Sequence, residues 1–148
     1  MQYRPDIVIS DSSGSAIAII EVKALNNADV QTATRYVRNL IAHGMAPHAD
    51  YVMLVTPVTG YLWTTLKSVS NDSPPALTFP MHGITENYLP HDSDSTQIRG
   101  SVLESIVLQW LTDLANGIVV DTGVTESLRK PGFVDAVKHG HVYAHATA

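Results

Sequence analysis

Pro5-Asp6-Ile7-Val8-Ile9 and Ala16-Ile17-Ala18-Ile19-Ile20-Glu21-Val22-Lys23, joined across Asp11-Ser12-Ser13-Gly14, decide how this chain folds. Ile7-Val8-Ile9 is β-branched and reads as a strand. Ala16 to Val22 is apolar almost throughout, the mark of a strand buried on both faces. The Asp-Ser-Ser-Gly cluster is a turn. Two strands joined by a short turn form an antiparallel hairpin. Asp6 opens the first strand and Glu21 closes the second, so the hairpin brings the two carboxylates together. Side chains alternate along a strand, so Glu21 and Lys23 share a face. Val22 points into the opposite, apolar layer, while its backbone carbonyl stays near the polar edge.

These residue types belong to one chemistry. Mg²⁺ and Mn²⁺ take oxygen ligands, commonly one or two carboxylates completed by water and substrate phosphate. Asp6, Glu21 and the carbonyl of Val22 are the candidate metal ligands. A lysine beside them can orient the attacking water or offset charge in the transition state, which makes Lys23 a candidate catalytic residue.

Beyond the hairpin, Asn26 or Asn27 is placed to cap a helix over 28–42. Val30, Ala33, Val37, Leu40 and Ile41 recur on one stripe, and Gly44 stops it. Tyr51 to Val55 is a strand, Pro57 to Gly60 a turn, and Tyr61 to Leu66 a further strand. Strand, helix, strand implies a right-handed parallel crossover. Leu77-Thr78-Phe79 is a short edge strand limited by Pro80. Ser68 to Pro75 and Pro90 to Gly100 read as polar loops.

Ser101 with Glu104 has the capping-box pattern. The helix after it carries Val102, Leu103, Ile106, Val107, Trp110, Leu111 and Leu114 on one wide face and closes at Gly117. Ile118 to Val120 reads as a short strand, and Val124 to Arg129 and Phe133 to Lys138 as short helices. His139 to Ala148 is expected to be a disordered tail. The fold class is therefore α/β, a mixed sheet flanked by helices.

At 148 residues the chain is expected to be one domain with a real core. Its 45% hydrophobic and 16% charged content fits a globular protein. No run reaches the roughly 18 apolar residues that span a bilayer. Pro5 follows too soon for a signal-peptide core, and with no cysteine there are no disulfides or cysteine zinc sites. A cytoplasmic setting is expected. The net charge of −5, with nine Lys and Arg, argues against tight nucleic-acid binding by this domain alone. Three of the nine, Lys23, Arg35 and Arg38, fall in the hairpin and the helix after it.

Pro5-Asp6, Glu21-Val22-Lys23 and the helix and strand that follow resemble the PD-(D/E)xK nuclease superfamily, the restriction-endonuclease-like fold. The resemblance extends to the nuclease domains of type I restriction subunits and covers roughly 3–66, with 100–139 as a C-terminal helical elaboration. It implies that Asp6 and Glu21 bind Mg²⁺ while Lys23 assists the water in phosphodiester hydrolysis. Such relatives carry Gln and Tyr on the helix after the motif, and Gln31 and Tyr36 are similar. Their separation of five turns them about 140° apart, which favours Gln31 as the supporting residue.

The family places a helix and a strand ahead of the Pro-Asp strand, and that helix often supplies another acidic residue. Only four residues precede Pro5. The resemblance then implies a core truncated or rearranged at its N-terminus; the elements able to fill the place are the helix Ser101 to Ala115, with Glu104 or Asp113, by circular rearrangement, or a second subunit. The expected partner is nucleic acid, DNA first, with a homodimer or a larger protein supplying what is missing. The other reading is an inactive nuclease-fold module for protein interaction or dimerisation.

His139-x-His141 and His145 have zinc-like spacing at a chain end. His43, His48, His82 and His91 read as surface or loop residues. There is no G-x-S-x-G nucleophile elbow and no phosphate-cradling glycine loop.

Overall fold

The β-branched run Ile7–Ser10 forms strand β1 and Ala16–Val22 forms β2 in the computed structural model, which describes residues 5–25, 29–42, 49–64, 74–89 and 98–144. They pair antiparallel, Ile7 opposite Ile20 and Val8 opposite Ile19, with a bulge between Ile9 and Ser10. Asp11 builds the turn: its Oδ1 accepts the backbone N–H of Ser13 at 2.9 Å and of Ser15 at 3.0 Å. Gly14 sits at φ +88°, where a side chain would be strained.

The amphipathic helix α1, Val30–Ala42, crosses to β3, Tyr51–Val55, which lies parallel to β2. Asp29 begins α1, its side chain accepting the N–H of Thr32 at 2.8 Å. The cap expected of Asn26 or Asn27, which lie outside the described residues, is thus made by Asp29. Ala33 and Val37 are buried against Ile19, Val52, Leu54, Tyr61 and Trp63. Strand β4, Thr59–Thr64, returns antiparallel to β3 and begins before the expected Tyr61. The Thr56 hydroxyl closes the turn over three residues, donating to the carbonyl of Thr59 and accepting its N–H. Leu66 and most of the loops expected at 68–75 and 90–100 lie outside the described residues, as do His43, His48, His91 and His145.

Strand β5, Leu77–Pro80, is the expected edge. The chain then forms helix α2, His82–Tyr88, over a stretch to which the sequence assigns no element, with His82 opening a helix rather than lying in a loop. Helix α3, Gly100–Ala115, buries Leu103, Val107, Trp110, Leu111 and Leu114 against the sheet face opposite α1. Val102, expected on that face, is exposed. The capping box is not made. The helix starts at Gly100, so Ser101 lies inside it and its carbonyl accepts the Ser105 hydroxyl. Gly117, at φ +83°, closes α3 as expected.

Ile118 to Val120 form no strand. The Asp113 carbonyl takes the Ile118 N–H, and the chain turns directly into α4, Thr122–Arg129, capped by Asp121. Helix α5 is Phe133–Val137.

The end of the chain departs most from expectation. His141–Ala144 form strand β6, paired antiparallel to β1, with Ile7 opposite Ala144. The sheet order is β5-β4-β3-β2-β1-β6. The mixed six-stranded sheet lies between α1 on one face and α3, α4 and α5 on the other. Among the described residues no helix is long and apolar enough to cross a membrane.

Candidate active site

Register places the site. With Ile7 opposite Ile20, Asp6 comes level with Glu21 at the end of the sheet where β2 finishes. Asp6 Oδ2 accepts the backbone N–H of Val22 at 2.8 Å. That bond commits one carboxylate oxygen to holding the hairpin. Val22 packs its side chain into the core on the α3 side, as alternation requires.

Glu21 is only 3% exposed, and among the described residues its Oε1 has no hydrogen-bond partner. Burial pushes its carboxyl up to about 7; the nearby Lys23 ammonium and the Asp6 backbone oppose that rise, and Glu104 adds to it. A buried carboxylate oxygen without a partner is costly. A proton, held up to about pH 7, or a cation would relieve it.

Lys23 extends past the end of β2, its N–H held by the Val55 carbonyl of β3 at 2.9 Å. Its Nζ lies 5.4 Å from the centre of the Tyr36 ring on α1, within cation–π range. The Tyr36 hydroxyl holds the ammonium charged and raises its pKa, against a smaller opposing effect of burial. Burial raises the Tyr36 hydroxyl in turn. Gln31 is exposed on the first turn of α1. The helix residue that meets Lys23 is therefore Tyr36, the reverse of what the five-residue separation suggested. Lys23 stands beyond the strand end and reaches along the helix, so it meets α1 more than a turn after Gln31.

The other acidic candidates separate cleanly. The first turn of α3 lies over the end of β2: a Cβ at Gly100 would sit 3.9 Å from that of Ala24. Glu104, one turn on, is half-buried, and its carboxyl is raised by burial and by the charge of Asp6, with Lys23 opposing. Asp113 lies about 13 Å further along the helix. It accepts the Tyr88 hydroxyl at 2.6 Å and the Gln109 amide at 3.0 Å, and so ties α2 to α3.

Among the described residues no three His, Asp or Glu side chains converge into a metal cage. The side-chain oxygens at this edge are those of Asp6 and Glu21, hard donors of the kind Mg²⁺ takes while keeping several waters. His139 and His141 fall in the turn before β6 and in β6 itself. The sequence signal for Glu104 was a lone acid in the first turn of an apolar helix. The resemblance names Tyr36, but helical spacing alone does not set it against Lys23. No protein-family model, curated protein or solved structure matches this chain.

Proposed function

We propose that this chain is a metal-dependent nuclease domain of the restriction-endonuclease-like type, hydrolysing phosphodiester bonds in nucleic acid. The observation that carries the reading is Glu21 Oε1, buried and, among the described residues, unpartnered beside Asp6 and Lys23. Asp6 and Glu21 would hold the cation with the Val22 carbonyl. A bound Mg²⁺ supplies Lewis acidity toward the phosphate oxygen and lowers the pKa of water.

The chain's own residues do the rest. Lys23, kept cationic by Tyr36, orients the attacking water and offsets charge gathering on the phosphate. Attack of water forms one P–O bond as the bond to the leaving nucleoside oxygen breaks; the proton lost by the attacking water passes to solvent, and the leaving oxygen takes one from solvent. Tyr36 acts through Lys23 as a positioning residue. Gln31, exposed at the start of α1, would contact substrate rather than the metal. Glu104 supports the site from α3, in the place the family gives to an upstream helix.

Calorimetric titration with Mn²⁺ tests this. Binding by the wild type that is lost in Glu21→Gln, with metal-dependent cleavage lost in Lys23→Ala, supports it. An intact fold that binds no metal and cuts no nucleic acid overturns it. The net charge of −5 favours the other reading, an inactive module that pairs with a second copy or a larger protein. The same titration separates the two.

A further inference from the structure

Charge is spread unevenly over the helices. Helix α1 carries Arg35 and Arg38 and no acid between Val30 and Ala42. Each of the other described helices is neutral or acidic. Helix α2 holds Glu86 and α5 holds Asp135. Helix α3, with Arg99 at its head, holds Glu104 and Asp113. Helix α4 sets Glu126 against Arg129, and the two are bonded at 2.9 Å. Arg129 and Lys138 line one small cavity with Asp135, so the cations at that end of the fold are mixed with acids.

Around the axis of α1, Gln31, Arg35 and Arg38 fall within about 60° of one another. Ala33 and Val37, on the opposite side of the helix, are buried against the sheet, so this stripe faces outward. Arg35 is exposed and Arg38 partly so. Asp29 stands at the head of the helix, where its carboxylate is engaged by the Thr32 N–H at 2.8 Å and feels the charge of Arg35. It offsets one cation and leaves α1 and Lys23 together in positive surplus.

The same helix meets the candidate site. Tyr36, next to Arg35 in sequence, has its ring centre 5.4 Å from the Lys23 ammonium. It projects about 100° or more round the axis from both arginines, so the stripe lies on the order of 10 Å from Lys23, a helix width. That is too far to touch the phosphate Lys23 would serve, and near enough to touch its neighbours along a chain.

A polynucleotide is held first through its phosphates, and an acidic protein can hold them only where cations outnumber acids. We propose that the nucleic acid lies across the outer face of α1, with Arg35 and Arg38 on phosphates that flank the one at Lys23, and does not approach over acidic α3. This rests on the nuclease reading above and adds the surface that holds its substrate. Phosphates are common to DNA and RNA, paired or single, and the test includes these forms.

The test is fluorescence anisotropy at several salt concentrations, with Ca²⁺ replacing Mg²⁺ to suspend cleavage. The probes are a labelled DNA duplex, its separated strand and an RNA strand of the same sequence. For the form that binds best, Arg35→Gln and Arg38→Gln should each weaken binding about three- to tenfold and lower the salt slope by roughly 0.7–0.9. Arg35→Lys should keep most of the affinity. In cleavage with Mg²⁺, both Gln variants should raise KM by a similar factor and leave kcat unchanged. Arg129→Gln, the control at the far end of α3, should change neither.

Unchanged affinity and salt slope in Arg35→Gln, with its fold verified by thermal unfolding, overturns the proposal. So does an equal loss in Arg129→Gln, or a fall in kcat without a rise in KM. If Mn²⁺ binds at Glu21 and cleavage ignores both arginines, this surface falls and the nuclease reading stands. If nucleic acid binds through the arginines while no metal binds and nothing is cut, the nuclease reading falls and the surface stands. If no probe is bound or cut, both fall.

Discussion

The carboxylate of Asp6 accepts the backbone N–H of Val22 at 2.8 Å, so the entry to β1 and the exit from β2 are one hydrogen-bonded unit. Asp6 therefore has a structural duty that can be separated from a metal-binding one. Asp6→Asn keeps an acceptor for Val22 and removes the charge; Asp6→Ala removes both. Thermal unfolding should show Asp6→Ala destabilised by about 1–2 kcal/mol and Asp6→Asn by less. Both should lose Mn²⁺ binding in calorimetry. Metal binding retained by Asp6→Asn would remove Asp6 from the ligand set.

Glu21 gives the metal-free protein a pH dependence of definite sign. Its carboxyl is raised by burial from 4.5 to about 7, so between those values the folded state holds a proton that the unfolded state has released. Stability is greatest below that window and falls as pH rises through it, by roughly 3 kcal/mol if the whole shift is realised. Denaturant unfolding at pH 4.5 and pH 7.5, with chelator, measures the drop. Glu21→Gln should flatten the profile, and a rise in stability across the window would contradict the burial of Glu21.

Tyr36 tests the second contact of Lys23. Tyr36→Phe keeps the ring 5.4 Å from the ammonium and loses the hydroxyl, while Tyr36→Leu loses both. If Lys23 is the water-orienting group, Tyr36→Leu should cut kcat on the order of tenfold with little change in KM, and Tyr36→Phe less. The alkaline limb of the kcat profile should move to lower pH in both, because the hydroxyl raises the Lys23 pKa. An unmoved limb would leave Tyr36 with a packing role only.

Gly60 marks a packing limit away from the site. It stands opposite Phe79 across β4 and β5, and a Cβ there would collide with the Phe79 ring. Gly60→Ala is expected to lower stability by about 1–3 kcal/mol through displacement of that ring, which also packs on Trp110 at 5.9 Å. A melting temperature within about 1 °C of wild type would mean the ring has room to move.

Much of this arrangement was legible in residue order. The β-branched and apolar runs 7–9, 16–22 and 51–55 announce themselves because burial on both faces leaves no polar interruption. The hairpin followed from the turn chemistry of Asp11 to Gly14, and with it the meeting of Asp6 and Glu21. Three features were hidden for physical reasons. The His141–Ala144 strand is short and half-exposed, and what holds it, pairing with β1 and packing of Val142 on the core beside α3, comes from segments far away in sequence. Ser101 and Glu104 have the spacing of a capping box, yet α3 starts at Gly100 and the box is not made. Glu104 instead lies where its charge acts on Glu21 and is acted on by Asp6, a placement that only the resemblance, with Asp113 as its alternative, pointed to. The Tyr36–Lys23 contact depends on how far a flexible side chain reaches past its strand, which helical angle alone cannot express.

The pairing of Ile7 with Ala144 has a consequence for biosynthesis. On a ribosome β1 is made long before β6, the neighbour that flanks it opposite β2. Until then the strand that delivers Asp6 is an open edge, able to pair with other chains. Closing it requires contacts between segments far apart in sequence, the kind that slow folding most. The nascent hairpin is thus a stage at which this edge is prone to aggregation, and synthesis of β6 is what shields it.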